Sequence, residues 1–326
     1  MVLLTGANGL VGSFVARMFL NQNIPFKILL RKNSNRQLID DILDKLQIIE
    51  GDILDIPSLQ IAIQDCTKVV HCAAIIAYGD VSEQKMLDVN VEGTKNIVNL
   101  CLELKIHRLI YLSSIAAIGR TVQSKLIDEN TKWVEDESNS LYAKSKYLAE
   151  LEVWRGVNEG LTAIILCPSI ILGPGNWNQG STKIFRNINE GMLFYPTGST
   201  NVVDVRDVAK AVHISLDCKE TNERYILNAN TILFYDFFSL ISKGFGKNPP
   251  RFKITEKIIV PFYYILKILA PFYLSKRYIN RETIRIASSH YRYSNEKFVN
   301  AFNFKYLDVN ESIKWTCEGL MERYLK

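Results

Sequence analysis

A tyrosine and a lysine, Tyr142 and Lys146, lie four positions apart in the stretch SLYAKSKYLAE. On a helix, residues i and i+4 share one face, with about 5–6 Å between their Cβ atoms. The phenol of a free tyrosine has a pKa of about 10, and a nearby ammonium lowers that pKa by favouring the phenolate. This pair is therefore a candidate proton donor and its tuning cation, of the kind that carbonyl reduction requires.

The spacing alone does not separate this interpretation from an ordinary amphipathic helix. The chain contains two further pairs with the same spacing: Tyr263 with Lys267, and Tyr293 with Lys297. The stretch RLIYLSS precedes the first pair and ends in Ser113 and Ser114, and a hydroxyl at the carboxyl end of a strand can donate a hydrogen bond to a substrate oxygen. No such strand is predicted before the other two pairs, so we expect their residues to lie in the core or at the surface.

A glycine-rich turn opens the chain in LLTGANGLVG, directly after a short apolar run and before a helix-like segment. Glycine permits a sharp turn and a close backbone approach, and the N-terminus of a helix offers free N–H groups to a pyrophosphate. The alternative is a plain strand-to-helix turn. We favour dinucleotide binding, with these contact residues: Gly6, Asn8, Gly9, Leu10, Val11 and Gly12.

The second predicted strand ends in ILLRKN, where side chains normally face the adenosine ribose. A carboxylate at this place would accept hydrogen bonds from a 2′-hydroxyl, whereas Arg31 and Lys32 offer cations to a 2′-phosphate. The sequence therefore favours NADP over NAD as the cofactor. The alternative is two solvated charges at a strand end, in which case NAD remains a candidate.

Short apolar runs alternate with helix-like segments through the first two-thirds of the chain, which is typical of an α/β protein. The runs predict buried strands at 2–4, 26–30, 47–49, 68–71, 108–112 and 162–167. The segments between them predict helices at 10–22, 57–64, 83–105 and 141–158. This order predicts a doubly wound parallel sheet, the Rossmann fold, with right-handed crossovers.

The alternation ends after Pro168, where Gly, Pro and Asn are concentrated in PSIILGPGNWNQG. We predict a dinucleotide-binding domain at 1–168. The stretches NVVDVRDVAKAVHISL and RYILNAN predict that 201–230 returns to its sheet. The ranges 169–200 and 231–326 would then form a second, smaller α/β domain that binds the substrate.

Composition limits the classes of function. The chain has 326 residues, 48% of them hydrophobic, and a net charge of +5 without a long basic run, so we expect a globular protein without a nucleic-acid role. Six cysteines and four histidines show neither the density of a disulfide scaffold nor metal-ligand spacing, which predicts reduced thiols and no metal site. The opening MVLLTGANG leaves no room for an export signal, so we expect a cytoplasmic location.

One later stretch, IIVPFYYILKILAPFYL at 258–274, is apolar enough to raise the question of a membrane. Pro261, Lys267 and Pro271 interrupt it, and its length is near the shortest that spans a bilayer, so we expect a buried or interfacial helix. The basic and aromatic range 251–285 leaves attachment to a membrane surface as an alternative that we do not favour.

Eight short stretches carry a family resemblance through their order and spacing: TGANGLVG, GDILD, VVHCAA, NVEGTKNIV, YLSSIAAIG, YAKSK, CPSIILGPG and NVVDVRDVA. With them the chain resembles the extended short-chain dehydrogenase/reductase family, within the NAD-dependent epimerase/dehydratase superfamily. Its branch with dihydroflavonol-reductase-like and 3-beta-hydroxysteroid-dehydrogenase-like enzymes is the most similar. The resemblance implies that Ser114, five residues before Gly119, is catalytic, with Ser113 as the fallback. It also implies catalytic Tyr142 and Lys146, and both would contact the cofactor, Lys146 through the nicotinamide ribose.

The resemblance implies further cofactor contacts. Asp52 and Ile53 would flank the adenine, although a helix N-cap is the alternative for Asp52. Ala73 and Ala74 would line the cofactor beside the pyrophosphate and ribose. Pro168 would lie beside the nicotinamide.

Several polar residues of these stretches are expected to be structural rather than catalytic. We predict that Asn90 is a structural hydrogen-bonding group. We predict an ion and cap network at a domain junction for Asp204, Arg206 and Asp207. Lys144 would point away from the site, since it lies only two positions beyond the tyrosine.

These inferences lead to an NADP-dependent oxidoreductase that interconverts a secondary alcohol and a ketone on a small or medium, fairly hydrophobic substrate. Tyr142 would relay the proton, Lys146 would tune it and Ser114 would orient the carbonyl. A nucleotide-sugar epimerase with bound NAD is one alternative, and the cations after the second strand argue against it. A dinucleotide-sensing regulator without turnover is another, and the tyrosine and lysine argue against that. Family analogy suggests a homodimer formed through helices 83–105 and 141–158.

Overall fold

The structure, a computed structural model, describes residues 1–76, 81–119, 126–135, 139–255 and 288–325. Its strands are β1 Val2–Thr5, β2 Phe26–Leu30, β3 Gln47–Glu50, β4 Lys68–His71, β5 Arg108–Leu112, β6 Leu126–Ile127, β7 Ala163–Pro168, β8 Ile170–Leu172, β9 Phe194–Pro196, β10 Ser199–Asp204, β11 Glu223–Leu227, β12 Asn230–Leu233, β13 Phe252–Ile254 and β14 Arg292–Tyr293. Its α-helices are α1 Leu10–Asn21, α2 Ile56–Ile63, α3 Glu83–Leu87, α4 Gly93–Glu103, α5 Leu141–Asn158, α6 Thr182–Asn189, α7 Val205–Ser215, α8 Phe234–Gly244, α9 Glu296–Phe302 and α10 Val309–Tyr324. Two 3₁₀ turns lie at Asp40–Lys45 and Ile115–Ala117, and a π-helical segment lies at Asp88–Glu92.

Seven parallel strands form the central sheet, in the order β11-β7-β5-β4-β1-β2-β3. Every residue of β1, β2 and β7 is buried, as expected for strands that are covered on both faces. The strand order runs outwards in both directions from the boundary between β1 and β4, which is the topology of a doubly wound sheet. The predicted fold class is confirmed.

Helices cover both faces of this sheet, because successive side chains of a strand point to opposite faces. Leu4 belongs to a buried apolar cluster with Val15 of α1 and Val212 of α7. Its neighbour Leu3 belongs to a second cluster with Ile97 of α4. The central sheet is thus the middle of three layers.

A separate three-stranded sheet has the order β12-β10-β8, with β10 parallel to β8 and antiparallel to β12. A third buried cluster covers it and includes Phe185 of α6, Phe237 of α8 and Ile313 of α10. β9 pairs with β13, and β6 pairs with β14, each in a two-stranded parallel sheet.

The range 201–230 returns to the central sheet only in part. β11 pairs with β7 at the edge of that sheet, and α7 packs beside α1. β10 lies instead in the three-stranded sheet, where Val202 pairs with Ile170 of β8. The expectation for this strand is wrong, because a fully buried apolar strand has the same sequence pattern in either sheet. The division of the chain into two domains stays a prediction.

The helix expected at 83–105 is interrupted, since the π-helical segment separates α3 from α4. None of the helices within the described ranges is long and apolar enough to cross a membrane. The apolar stretch at 258–274, with Tyr263 and Lys267, lies outside the described residues.

Candidate active site

The glycine turn joins β1 to α1, and its three glycines meet different surroundings. Gly6 has a φ of +71°, and a Cβ there would lie 2.6 Å from the backbone N of Ala73. A Cβ on Gly12 would collide with the carbonyl oxygen of Gly6. A Cβ on Gly9 would meet that same oxygen at 3.3 Å and no other described atom within 4 Å. Contacts inside the protein therefore require Gly6 and Gly12, whereas Gly9 faces space where a ligand can approach the backbone.

The N-terminus of α1 is suited to an anion. Gly9 is the exposed N-cap, and no side chain of the described residues caps this end. Leu10 and Val11 begin the first turn, and Gly12 follows them. The first N–H groups of a helix have no partner within the helix, and its dipole favours negative charge there. These residues fit the pyrophosphate of a dinucleotide.

Arg31 and Lys32 follow β2 directly, and both are exposed. Asn8 of the glycine turn donates from Nδ2 to the carbonyl oxygen of Asn35, at 3.0 Å. This bond ties the loop after β2 to the turn, so the two cations lie on a loop that is anchored beside the predicted pyrophosphate site. Their contact with a 2′-phosphate stays a prediction.

A buried hydrogen-bond chain joins the ends of β1 and β4 to α4. Thr5 Oγ1 lies 2.7 Å from His71 Nδ1, and His71 Nε2 lies 3.1 Å from Thr94 Oγ1. Ala73 N donates to Thr5 Oγ1 at 3.3 Å, and Thr94 Oγ1 donates to the carbonyl oxygen of Asn90 at 2.6 Å. Because the Thr94 proton goes to Asn90, Thr94 accepts from His71 Nε2–H, and Nδ1 accepts from Thr5. This series of hydrogen bonds thus holds Ala73 beside the glycine turn.

The residues expected near the adenine lie between β3 and α2. Asp52 Oδ1 accepts from Leu54 N at 3.1 Å, and Ile53 is buried. The N-cap of α2 is Asp55, which accepts from Ser58 N at 3.2 Å, so the alternative role of Asp52 as a helix cap is wrong. Its contact with adenine stays a prediction.

Two further expected cofactor contacts lie at strand ends. Ala74 is half-buried and lies beyond the end of β4. Pro168 is buried, ends β7 and pairs with Leu227 of β11. Because β1, β4, β5 and β7 are parallel neighbours, their carboxyl ends lie at the same edge of the sheet. Ala74 and Pro168 therefore share this edge with the glycine turn.

The tyrosine and lysine are positioned by the start of α5. Ser140 caps this helix by accepting from Ala143 N at 3.1 Å, which places Tyr142, half-exposed, in the first turn. Lys146 lies one turn later and is buried. Its Nζ donates to the carbonyl oxygen of Leu112 at 2.7 Å, at the end of β5. The predicted pair therefore lies on one helix face at the sheet edge that carries the glycine turn.

The surroundings of Lys146 change its acidity. Burial lowers its pKa to about 8, against an opposing contribution from negative charge nearby. The ring of Tyr111 lies 4.5 Å from Nζ and offers its face to the ammonium. A lysine with this pKa can change its protonation close to physiological pH.

The two serine candidates differ in their partners. Ser113 is buried and donates to Glu150 Oε2 at 2.8 Å. Ser114 is half-buried, and its Oγ accepts from Ala116 N at 3.1 Å, which leaves its own proton available as a donor. This difference supports Ser114 and argues against the fallback.

Glu150 is a buried charge that the sequence analysis did not single out. It lies four positions after Lys146 and is 2% exposed. Its carboxylate accepts from Ser113 and, at 2.7 Å, from Arg224 Nη1 of β11. The regular spacing of Tyr142, Lys146 and Glu150 was the sequence signal for it.

Other residues singled out by sequence have structural surroundings. Lys144 is exposed and forms an ion pair with Glu135 at 3.0 Å, as its position predicted. Tyr293 is a buried strand residue, whereas Lys297 lies on α9 and pairs with Glu223 at 2.6 Å. This second tyrosine and lysine pair therefore does not share a helix.

The polar groups predicted to be structural form hydrogen bonds and ion pairs within the protein. Asn90 is buried and forms hydrogen bonds with both backbone polar groups of Ile75, at 2.7 and 3.0 Å. Asp204 caps α7 and forms an ion pair with Arg206 at 2.7 Å. Asp207 accepts from Leu307 N at 2.9 Å, and burial raises its pKa to about 6.

Comparisons with known proteins agree with this architecture. A family model, the NAD dependent epimerase/dehydratase family, matches residues 2–228. A putative dihydroflavonol 4-reductase of Synechocystis sp. is 29% identical over 276 residues, which cover 82% of this chain and 79% of that protein. Cinnamoyl-CoA reductase 1 of Petunia hybrida is 25% identical over 281 residues, which cover 81% of this chain and 84% of that protein.

Solved structures are also similar. The crystal structure of gox2253 has a TM-score of 0.86 at 28% identity, and the match covers 99% of this chain and 98% of that one. The Bordetella bronchiseptica enzyme WbmH, solved in complex with NAD+, has a TM-score of 0.77 at 18% identity, with the same coverage of 99% and 98%. At 18% identity, the similarity to WbmH supports the fold alone. Together with the family match, these findings confirm the resemblance that the eight stretches predicted.

Proposed function

The chain belongs to the NAD dependent epimerase/dehydratase family and is an NAD(P)-dependent oxidoreductase; on this basis we propose that it interconverts a secondary alcohol and a ketone with NADP. The substrate is small or medium in size and fairly hydrophobic. The supporting observation is the position of Lys146, which is buried one turn after Tyr142 and bound to the carbonyl oxygen that ends β5.

The protein groups have separate tasks in this proposal. Tyr142 donates or accepts the proton at the substrate oxygen, and the Lys146 ammonium stabilises its phenolate form. Ser114 donates a hydrogen bond to the same oxygen, so that charge developing there is stabilised. Bound NADPH would supply the hydride to the adjacent carbon.

The cofactor would lie along the edge of the central sheet. Gly6, Asn8, Gly9 and the first turn of α1 would hold the pyrophosphate. Arg31 would bind the 2′-phosphate together with Lys32, through charge-assisted hydrogen bonds that are stronger than neutral ones. NADPH should therefore bind more tightly than NADH in a direct binding titration.

The names of the relatives suggest a class of substrate. The relatives are named as reductases of a dihydroflavonol and of cinnamoyl-CoA, and both named compounds contain an aromatic ring. These names support an aromatic carbonyl group as the reacting part of the substrate. The exposed cations after β2 support NADPH rather than permanently bound NAD.

The test is a substrate panel of ketones, steroids, flavonoids, cinnamoyl thioesters and sugar nucleotides, with NADPH oxidation as the signal. We expect oxidation with at least one apolar carbonyl compound and none with sugar nucleotides. Stoichiometric NAD in the purified protein, with conversion of a sugar nucleotide and no net oxidation of NADPH, would establish the epimerase instead.

A further inference from the structure

Glu150 is the buried carboxylate of the site, and the proposed chemistry does not use it directly. Four donors surround its two oxygens. They are Ser113 Oγ at 2.8 Å, Arg224 Nη1 at 2.7 Å, Trp154 Nε1 at 3.4 Å and Cys167 Sγ at 3.8 Å. Desolvating a carboxylate is costly, and such complete pairing is needed to keep it ionised in the interior.

These contacts bring Glu150 to the end of β5. Ser113 lies between Leu112, whose carbonyl oxygen accepts from Lys146, and Ser114, the proposed carbonyl-orienting residue. The backbone N of Ser113 donates to Leu166 O of β7 at 2.7 Å. α5 therefore forms hydrogen bonds with two consecutive residues at the end of β5. The Lys146 ammonium donates to Leu112, and the Glu150 carboxylate accepts from Ser113.

We propose that Glu150 is a positioning residue: it fixes the end of β5 through Ser113, and it supplies the negative charge that faces the Lys146 ammonium from the interior. The inference rests on the proposed function, because that assigns tasks to Lys146 and Ser114. Glu150 itself touches neither substrate nor cofactor in this account.

The charges around Lys146 support the second half of the proposal. Groups from three strands face this lysine: His71 on β4 with Cys72 after it, Tyr111 on β5 and Cys167 on β7. On its own helix, Tyr142 lies one turn before it and Glu150 one turn after it. Burial raises the pKa of Cys72 to about 12 and that of Cys167 well above its usual range, so both thiols are neutral near pH 7. Burial also keeps His71 neutral. Within the described residues, Glu150 is then the one anion among these groups.

A purely structural role is the competing explanation. Arg224 joins Glu150 to the backbone carbonyl oxygen of Glu129, and Glu129 accepts from Ile226 N at 2.8 Å. This network connects α5 with β11 and with the loop before α5. If it served stability alone, loss of the Glu150 charge would weaken folding and leave the acidity of Lys146 unchanged.

The decisive experiment compares Glu150→Gln with wild type by NMR titration of isotope-labelled lysine, with the Lys146 signal assigned by Lys146→Arg. The substitution keeps size and hydrogen-bonding capacity but removes the charge. We expect the midpoint of the Lys146 titration to fall by about one pH unit. An unchanged midpoint in folded Glu150→Gln would overturn the proposal.

Glu223→Gln is the matched control. Glu223 lies on β11 next to Arg224 and also pairs with a cation, Lys297, but its side chain is 44% exposed and it does not face Lys146. Its substitution should leave the midpoint at the wild-type value. An equal shift in both variants would show a general electrostatic effect and would contradict a special role for Glu150.

A second variant tests whether the hydrogen bond between Ser113 and Glu150 fixes the end of β5. It also provides a test if Glu150→Gln does not fold. Ser113→Ala removes the bond to Glu150 and keeps the carboxylate. We expect about tenfold faster hydrogen exchange at the backbone amide of position 113, with the midpoint of the Lys146 titration unchanged. Unchanged exchange would overturn the positioning role. Neither readout needs turnover, so both remain valid if the proposed reaction proves wrong.

Discussion

Lys146 shows how a single residue can keep a charge inside the protein and still remain responsive to pH. Leu112 O accepts one of its protons, the face of Tyr111 lies 4.5 Å from Nζ, and burial lowers its pKa to about 8. A protonated lysine near neutral pH favours the phenolate of Tyr142, and its own deprotonation lies within reach of small changes in surroundings. The chemistry of the site thus depends on burial as much as on spacing.

His71 leads to a prediction about acid stability. Burial, and secondly the charge of Lys146, lower its pKa from 6.5 to about 3. Below about pH 6.5 the unfolded chain takes up a proton at this residue and the folded chain does not, so the free energy of unfolding falls as the pH falls towards 3. The slope from this residue is at most about 1.4 kcal/mol per pH unit.

Urea unfolding between about pH 4.5 and pH 7.5 measures this slope. Across roughly this range, His71 changes its charge only in the unfolded state. His71→Gln should flatten the dependence of stability on pH, whatever its effect on stability at pH 7.5. His107→Gln alters an exposed histidine and should retain the wild-type slope. Equal slopes in all three proteins would contradict the neutral buried state of His71.

The sequence predicts residues within one motif better than it predicts their distant partners. Helical spacing, a preceding strand end and the family resemblance together single out Tyr142, Lys146 and Ser114. Glu150 has the same helical spacing, but its importance comes from Ser113, 37 positions away, and Arg224, 74 positions away. Such pairings depend on which strands become neighbours, and local periodicity carries no information about that.

At the scale of single elements, the glycines at the start of α1 have two different roles, one in the fold and one in ligand access. The glycines that contact backbone support the fold, because a Cβ on Gly6 or Gly12 would enter space that other atoms occupy. Gly9 has a φ of −86°, which any residue adopts, and a Cβ there would meet only Gly6 O, at 3.3 Å. A glycine at this position is useful because it lets a ligand approach the backbone, and its own conformation does not require glycine.

Gly9→Ala should lose less stability than Gly12→Ala, because its Cβ meets Gly6 O at 3.3 Å rather than colliding with it. It should bind NADPH at least about tenfold more weakly, because its methyl group would occupy the approach to the helix N-terminus. Thermal unfolding and a fluorescence titration with NADPH measure the two effects. Gly12→Ala is the comparison, and it should lose stability because its Cβ would collide with Gly6 O. Full NADPH affinity in Gly9→Ala would place the pyrophosphate elsewhere.

At the scale of the whole molecule, the parallel sheet brings the ends of β1, β2, β4, β5 and β7 and the starts of α1 and α5 to a single edge. Continuous apolar runs and the glycine turn predict this sheet well, because its inner strands are buried on both faces. The smaller sheet was not predictable in the same way. β10 is as buried as a strand of the central sheet, and only its pairing with β8 and β12 distinguishes it.

We predict that the protein is a homodimer in which α4 and α5 of two copies pack together. Leu151 on α5 is 44% exposed and Leu104, just after α4, is 36% exposed. Leu151→Arg should produce monomers in sedimentation velocity, because an unpaired charge would be buried between the copies. Ile61→Arg changes an apolar residue of α2 that is even more exposed, at 62%, and should leave the dimer intact. A monomeric wild-type protein would refute this assembly.

The central claim is that Tyr142 carries the proton at the sheet edge where the dinucleotide binds. The most direct measurement compares turnover and NADPH affinity in wild type, Tyr142→Phe and Tyr147→Phe, the last a tyrosine of the same helix that stacks on Trp133. We predict that Tyr142→Phe loses at least about 100-fold in turnover and keeps its NADPH affinity, while Tyr147→Phe retains turnover. Undiminished turnover in Tyr142→Phe would contradict the account.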